Sequence, residues 1–220
     1  MTTNQTYESF ILQINANATS DNLSCDKGKF TVMYNNEQNR FIENLLDRKF
    51  EDDIRYLQQI LVSDKEITSS MSRLDSTYFD LPKNYFDFSN VYALASKGKC
   101  QKQKINLFEI KDDDRNLILF DSNNNPSWKY REAPFSIQSG KVKVYQDDTF
   151  TLDRLLLTYY RYPVQIGLID EENPESDFNS NSPEWDDKAN NRIIDLTVSS
   201  FFLQMGDQRF QVEKQNAIQK

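Results

Sequence analysis

Carboxylates are the chemistry-bearing side chains that this sequence offers in greatest number. Asp112, Asp113 and Asp114 are consecutive, and Glu171 adjoins Glu172. Paired acids of this kind serve as acid and base in glycoside hydrolysis, or hold Mg²⁺. The run Asp121-x-Asn123-x-Asn125, with Glu132 eleven positions after Asp121, mimics four of the ligand positions of a calcium-binding EF-hand loop. Each pattern also has a plainer meaning. Adjacent acids in polar stretches are ordinarily solvated surface charge. The calcium-like run puts Pro126 where the sharp turn wants Gly, and its flanks, Leu117-Ile118-Leu119-Phe120 and Trp128-Lys129-Tyr130, read as strands instead of helices. The plainer meaning is favoured throughout, so no catalytic residue, cofactor site or metal ligand is expected.

Histidine is absent from all 220 residues. That removes the commonest general base and excludes a Ser-His-Asp triad, a Cys-His dyad and any zinc site containing His. The five glycines, at positions 28, 98, 140, 167 and 206, form neither G-x-x-x-x-G-K nor G-x-G-x-x-G, so neither phosphate-cradling loop is present. Cys25 and Cys100 lie far apart with no ligand spacing and read as ordinary thiols in a reducing compartment. Tyr159, Tyr160 and Tyr162 around Arg161 could stack on single-stranded nucleic acid. Half-buried strand positions or protein-interface anchors suit them better, because Tyr and Arg are enriched at interfaces and the chain carries a formal charge of −8. An acidic chain lacks the Lys/Arg surface that grips phosphates, yet it suits a wall past which a polyanion must slide.

The elements that must position these residues follow from the hydrophobic pattern. Apolar residues make up 38% of the chain and Phe and Tyr number 15 and 11, enough to organise a core in one domain or one domain with an insertion. No basic-then-apolar leader opens the sequence, and no window approaches the ~20 apolar residues of a membrane-spanning helix. Phe41, Leu45, Phe50, Ile54, Leu57 and Leu61 recur at helical steps, predicting a long or kinked helix from Asn35 to Val62, with Asn35 as its cap and Gln38 completing a capping box. A shorter helix is predicted from Thr6 to Ile14. Alternation in Lys104–Ile110 and Lys141–Tyr145 predicts strands, Asp121–Pro126 a hairpin loop, and Thr151–Tyr162 a last strand ended by Pro163. The acidic stretch Asp170–Ser182 predicts an exposed loop. Ser182 and Pro183 then predict the start of a closing helix that ends before Gly206, followed by a polar tail able to order on a partner.

Several of these features together resemble the head-to-tail connector (adaptor or ring) proteins of tailed bacteriophages. They are the opening helical region ending in Asn39-Arg40-Phe41-Ile42-Glu43, the segment Leu81-Pro82-Lys83-Asn84-Tyr85, and the strand end Tyr159-Tyr160-Arg161-Tyr162-Pro163. The last is the acidic loop leading into Pro183-Glu184-Trp185 and a closing helix. The similarity covers most of the chain. Richness in Asn, Lys and Tyr, the double asparagines and the lack of His also resemble proteins of the crAss-like podoviruses. The resemblance implies a virion structural protein made in the host bacterial cytoplasm, a subunit of a ring of twelve copies. Such a ring extends the portal protein, contacts further ring or tail proteins, and lets DNA pass without sequence-specific binding. The expected fold class is α+β, a helical bundle of N- and C-terminal helices with an inserted small antiparallel sheet. Its parts are N-terminal helices over 1–62, a β-rich insertion over 63–165, an acidic loop over 166–182, a helix over 183–206 and a tail over 207–220. Tyr159, Tyr160, Arg161, Tyr162, Phe210 and Val212 are the candidate interface residues. Alternatives are another tail-completion or capsid accessory protein, a nucleic-acid-binding module, and an enzyme using acid pairs.

Overall fold

Three helix starts show how locally the chain writes its own boundaries. In a computed structural model, which describes residues 1–17, 22–48, 54–111, 113, 121, 125–167 and 182–206, helix α1 spans Thr3–Asn17. It opens on a reciprocal capping box: the Gln5 backbone N–H donates to Thr2 Oγ1 at 3.3 Å, and the Thr2 N–H donates to Gln5 Oε1 at 2.8 Å. Helix α2 spans Lys27–Arg48 and is capped by Asp26, whose carboxylate accepts from the Lys29 N–H at 3.0 Å. Gly28 leaves that carboxylate room, since a Cβ there would stand 2.9 Å from Asp26 Oδ2. The short helix α3, Ile54–Leu57, runs into a 3-10 turn at Gln58–Ile60. Helix α4 spans Asp187–Gln204, capped by Asp186 accepting from the Ala189 N–H at 2.8 Å and closed by Gly206 at φ +82°.

Two starts therefore differ from the predicted ones. Asn35 lies inside α2, not at its cap; its side chain bonds the backbone of Ile166 instead. Pro183 precedes α4 by four residues, and the cap falls to Asp186. The apolar spacing that predicted helix as far as Val62 also misled at its end, because Leu61 and Val62 begin a strand and pair with Tyr160 and Tyr159.

The larger correction concerns fold class. A helical bundle with a small inserted antiparallel sheet is not what the chain forms: its strands close into a seven-stranded barrel. They are β1 (Leu61–Ser72), β2 (Ser76–Asp80), β3 (Tyr85–Lys97), β4 (Cys100–Glu109), β5 (Glu132–Gln138), β6 (Lys141–Tyr145) and β7 (Thr151–Arg161). Around the barrel the order is β1-β2-β6-β5-β4-β3-β7, and β7 pairs back onto β1. All neighbours are antiparallel except β4 and β5, whose register runs parallel from Asn106 opposite Glu132 to Glu109 opposite Phe135. Closure removes the edges that a small open sheet would leave unpaired. It rests on β1, whose Ser63–Glu66 stretch is polar and carries no apolar alternation, so its role as the closing strand has little local signature.

The barrel interior is packed with side chains. Phe79, Ala93, Ala95, Ile105, Ala133, Val144 and Leu155 are fully buried, and Phe135, Val142 and Leu157 nearly so. Alanines on β3 and β5 make room for the rings of Phe79 and Phe135, the large-with-small filling that a narrow barrel requires.

The chain divides into two compact units, the barrel (Leu61–Arg161) and a helical unit built from the segments Met1–Ile60 and Tyr162–Lys220. In the helical unit α1, α2 and α4 share an aromatic core. Phe10 sits 4.9 Å from Phe30 and 5.8 Å from Phe201, ring centre to ring centre, and Phe41 lies edge-on to Trp185 at 5.8 Å. Such pairs contribute about 0.5–1.5 kcal/mol beyond their buried area. Among the described residues no helix is long and apolar enough to cross a membrane.

Candidate interaction surfaces

Strand β7 carries three of the candidate interface residues, Tyr159, Tyr160 and Arg161, and separates them. Side chains alternate across a strand, so Tyr159 and Tyr160 point to opposite faces and cannot share one stacking platform. Tyr159 faces the barrel interior, where its hydroxyl donates to Asn84 Oδ1 at 3.0 Å and its ring lies 5.9 Å from that of Tyr85. Burial raises its pKa. Tyr160 and Arg161 are half-buried, and Tyr162, beyond the strand, is exposed. Phe210 and Val212 lie outside the described residues, as does the tail that holds them.

The acidic motifs fall largely outside the described residues. Asp112, Asp114, Glu171, Glu172 and Asn123 lie outside the described residues, and Asp113 is exposed. Asp121 is half-buried and uses its backbone carbonyl to accept from the Asn125 N–H at 3.1 Å, while Glu132 is exposed at the start of β5. Among the described residues no three His, Cys, Asp or Glu side chains converge as metal ligands. Cys25 and Cys100 are free thiols, the first buried with its pKa raised by desolvation and the second exposed.

Buried polar groups that the hydrophobic pattern does not reveal hold the helical unit. Tyr34 donates a short hydrogen bond to Asn190 Oδ1, and Asn190 Nδ2 donates to Thr6 Oγ1 at 3.3 Å, so that α1, α2 and α4 meet at one amide. Trp185 Nε1 donates to Gln38 Oε1 at 2.8 Å; Gln38 Nε2 donates to Asn35 Oδ1 at 2.9 Å; Asn35 and Ile166 then exchange a pair of bonds at 3.0 and 3.1 Å. Ser200 Oγ donates to Glu37 Oε1 at 2.5 Å. The bond joins α2 to α4 as a clamp. Tyr34 shows the same character: burial lifts its pKa far above the ordinary phenol value.

The most concentrated surface feature is one that composition as a whole conceals. Lys97, Lys99, Lys102 and Lys104 lie on the β3–β4 hairpin, all four exposed, and no acid occurs between Asp87 and Glu109. Lys97 pairs with Cys100 across a two-residue turn whose first residue, Gly98, takes φ +56°, the left-handed conformation that fits a hairpin to the twist of its strands. Lys104 Nζ sits 3.8 Å from the centre of the Tyr92 ring. Lys97, Lys99 and Lys102 make no ion pair among the described residues. Asp153 on β7 accepts from Ser96 Oγ at 2.5 Å, and Asp64 accepts from the Tyr92 hydroxyl at 3.2 Å.

Charge divides with the fold. The segments of the helical unit hold 20 Asp and Glu against 11 Lys and Arg, whereas the barrel segment holds 14 against 15. The negative charge of the chain is thus carried by the segments of the helical unit, and the barrel segment is close to neutral, with four of its ten lysines on one hairpin. The signal that could have found the hairpin in the sequence is the spacing of lysines across an acid-free stretch, which an overall charge of −8 averages away. No protein-family model matches the chain, and no curated protein matches it in sequence.

Proposed function

We propose that the chain is a non-catalytic structural subunit that assembles through unlike surfaces, serving as a head-to-tail connector subunit in the virion of a tailed bacteriophage. In that role it extends the portal protein as a ring and forms part of the wall along which DNA passes. One observation carries the reading: the segments of the helical unit hold an excess of acid while the barrel presents a lysine hairpin, two unlike charge patterns in a single chain. A ring needs this, because head-to-tail contacts join two different patches of neighbouring copies, whereas a two-fold dimer joins a patch to itself. Tyr34, Asn190, Thr6, Ser200 and Glu37 bond between helices of the helical unit, consistent with a rigid part. The barrel is a departure from the bundle that the resemblance implied, and fold does not dictate function.

Sedimentation velocity of the purified chain, alone and with the portal protein of the same phage, tests the proposal. The expected result is a ring-sized species, formed alone or on the portal. A chain that stays monomeric in both conditions contradicts it.

A further inference from the structure

The tip of the β3–β4 hairpin reads Lys97-Gly98-Lys99-Cys100-Gln101-Lys102-Gln103-Lys104, with all four lysines exposed and no aliphatic, aromatic or acidic residue among them. This composition selects among the partners that a basic surface can take. A protein interface is built around an apolar or aromatic centre and is depleted in Lys. A lipid surface is held by apolar side chains that enter it as well as by charge. The hairpin tip supplies neither kind of apolar anchor. The phosphate backbone of a nucleic acid is met instead by Lys charges and by neutral donors such as Gln, and the tip carries both. Duplex DNA presents about one phosphate charge per 1.7 Å of axis, dense enough for four lysines within eight residues to act together. We propose that the hairpin holds the phosphate backbone of duplex DNA without reading its sequence. The inference goes beyond the connector reading, in which the wall along the DNA need hold nothing.

Asp153 stands beside the tip, accepting from Ser96 Oγ at 2.5 Å, and against four lysines it leaves a local excess of positive charge. The overall charge of −8 does not decide the matter, because at physiological ionic strength exposed charges farther than about 8 Å from a contact are largely screened. The strand is also built irregularly where it carries Lys102. Ala95 pairs with Gln103 and Lys97 with Cys100, so Gln101 and Lys102 together stand opposite Ser96, and Lys102 takes φ +53°. A bulge of this kind re-aims a side chain, and bulges are over-represented next to functional sites. Glycine would adopt the left-handed conformation more easily, and the position carries a charge instead.

The test is fluorescence anisotropy of a labelled DNA duplex titrated with full-length protein over a range of salt. Three proteins are compared: the unaltered chain, a hairpin variant (Lys97→Gln, Lys99→Gln, Lys102→Gln), and a control with the same change of charge elsewhere on the barrel (Lys65→Gln, Lys83→Gln, Lys129→Gln). Thermal transitions check that all three are folded. Binding by the unaltered chain should weaken about a hundredfold between about 50 and 200 mM salt, the response expected of about four phosphate contacts, and should be equal for duplexes of unrelated sequence. The hairpin variant should bind at least tenfold more weakly at low salt and lose most of that salt dependence, while the control stays within about twofold of the unaltered chain. A photo-crosslinker on Cys100, which is exposed while Cys25 is buried, should attach to the DNA.

DNA binding by the hairpin variant as tight as that of the unaltered chain overturns the inference, and so does an equal loss in the control. It is also overturned if the unaltered chain ignores duplex DNA at low salt, or captures phosphatidylserine vesicles or a second copy through these lysines in its place. Rings on the portal whose chains do not bind DNA remove this inference and leave the connector reading standing. DNA binding through the hairpin by a chain that never assembles on the portal supports this inference and removes that reading.

Discussion

The two units of this chain solve the same problem by different means. The barrel is held by an apolar interior and by backbone pairing that closes on itself, with little polar chemistry inside. The helical unit buries Thr6, Gln38, Asn190 and Thr197 completely and joins three helices distant in sequence through side-chain hydrogen bonds. A barrel gains its uniqueness from register, since a slip of one residue turns every side chain to the wrong face. Helices can slide and rotate on an apolar seam, and a buried amide with fixed partners gives them one arrangement. The difference teaches that polar residues in the helical core are placed for specificity, and that truncation should hurt the two units for different reasons.

The largest expected effect is in the barrel. Phe135, 1% exposed and edge-on to Phe88 at 5.6 Å, has no neighbour able to refill its volume, so Phe135→Ala should destabilise the barrel by about 3–5 kcal/mol. Denaturant unfolding followed at Trp128, in a Trp185→Phe background, reads that unit. A loss below about 1 kcal/mol would mean that the barrel interior is not close-packed.

Asn190→Leu should come next, at about 2–3 kcal/mol, because it strips the partner from the buried Tyr34 hydroxyl and adds a side chain that cannot bond. The measurement is the unfolding free energy by circular dichroism at the helical band. Neutral behaviour would show that apolar packing, not the amide, fixes the helices.

Tyr34→Phe is milder, about 1–2 kcal/mol at neutral pH, and it has a signature in alkali. The folded-state pKa of Tyr34 is raised above its unfolded value by burial. Its contribution is therefore fully present below the ordinary tyrosine value of about 10 and is lost as pH rises from there toward the folded pKa. Thermal stability of the unaltered chain should fall above about pH 10, and Tyr34→Phe should flatten that fall. An identical alkaline profile in both proteins would place the sensitivity elsewhere.

The smallest effect has the opposite sign. Lys102→Gly relieves a left-handed residue and should leave the barrel as stable or up to about 1 kcal/mol more stable by thermal denaturation. A destabilised barrel would show that the lysine side chain contributes more than its backbone conformation costs.

What the sequence made legible was local chemistry. Gly206 closes α4, Pro163 follows the last strand, and the alternation of Lys141–Tyr145 forms β6. Caps were legible in kind but not in place. By type Asn35 and Ser182 cap a helix as well as Asp26 and Asp186 do, so a polar sequence offers many equal candidates and local chemistry does not choose among them. Barrel closure was not legible, because it depends on β1 meeting β7 ninety residues later and on a parallel match of β4 with β5, and no local pattern encodes either pairing. The lysine hairpin was not legible for a related reason: an acidic average hides it, while the conspicuous aromatic end of β7 places its residues on opposite faces.

The most direct test of the proposed connector role is electron cryomicroscopy of the chain mixed with a tailed-phage portal protein encoded beside it. The proposal predicts a ring of this chain seated on the portal. Bare portals beside monomeric protein would contradict it.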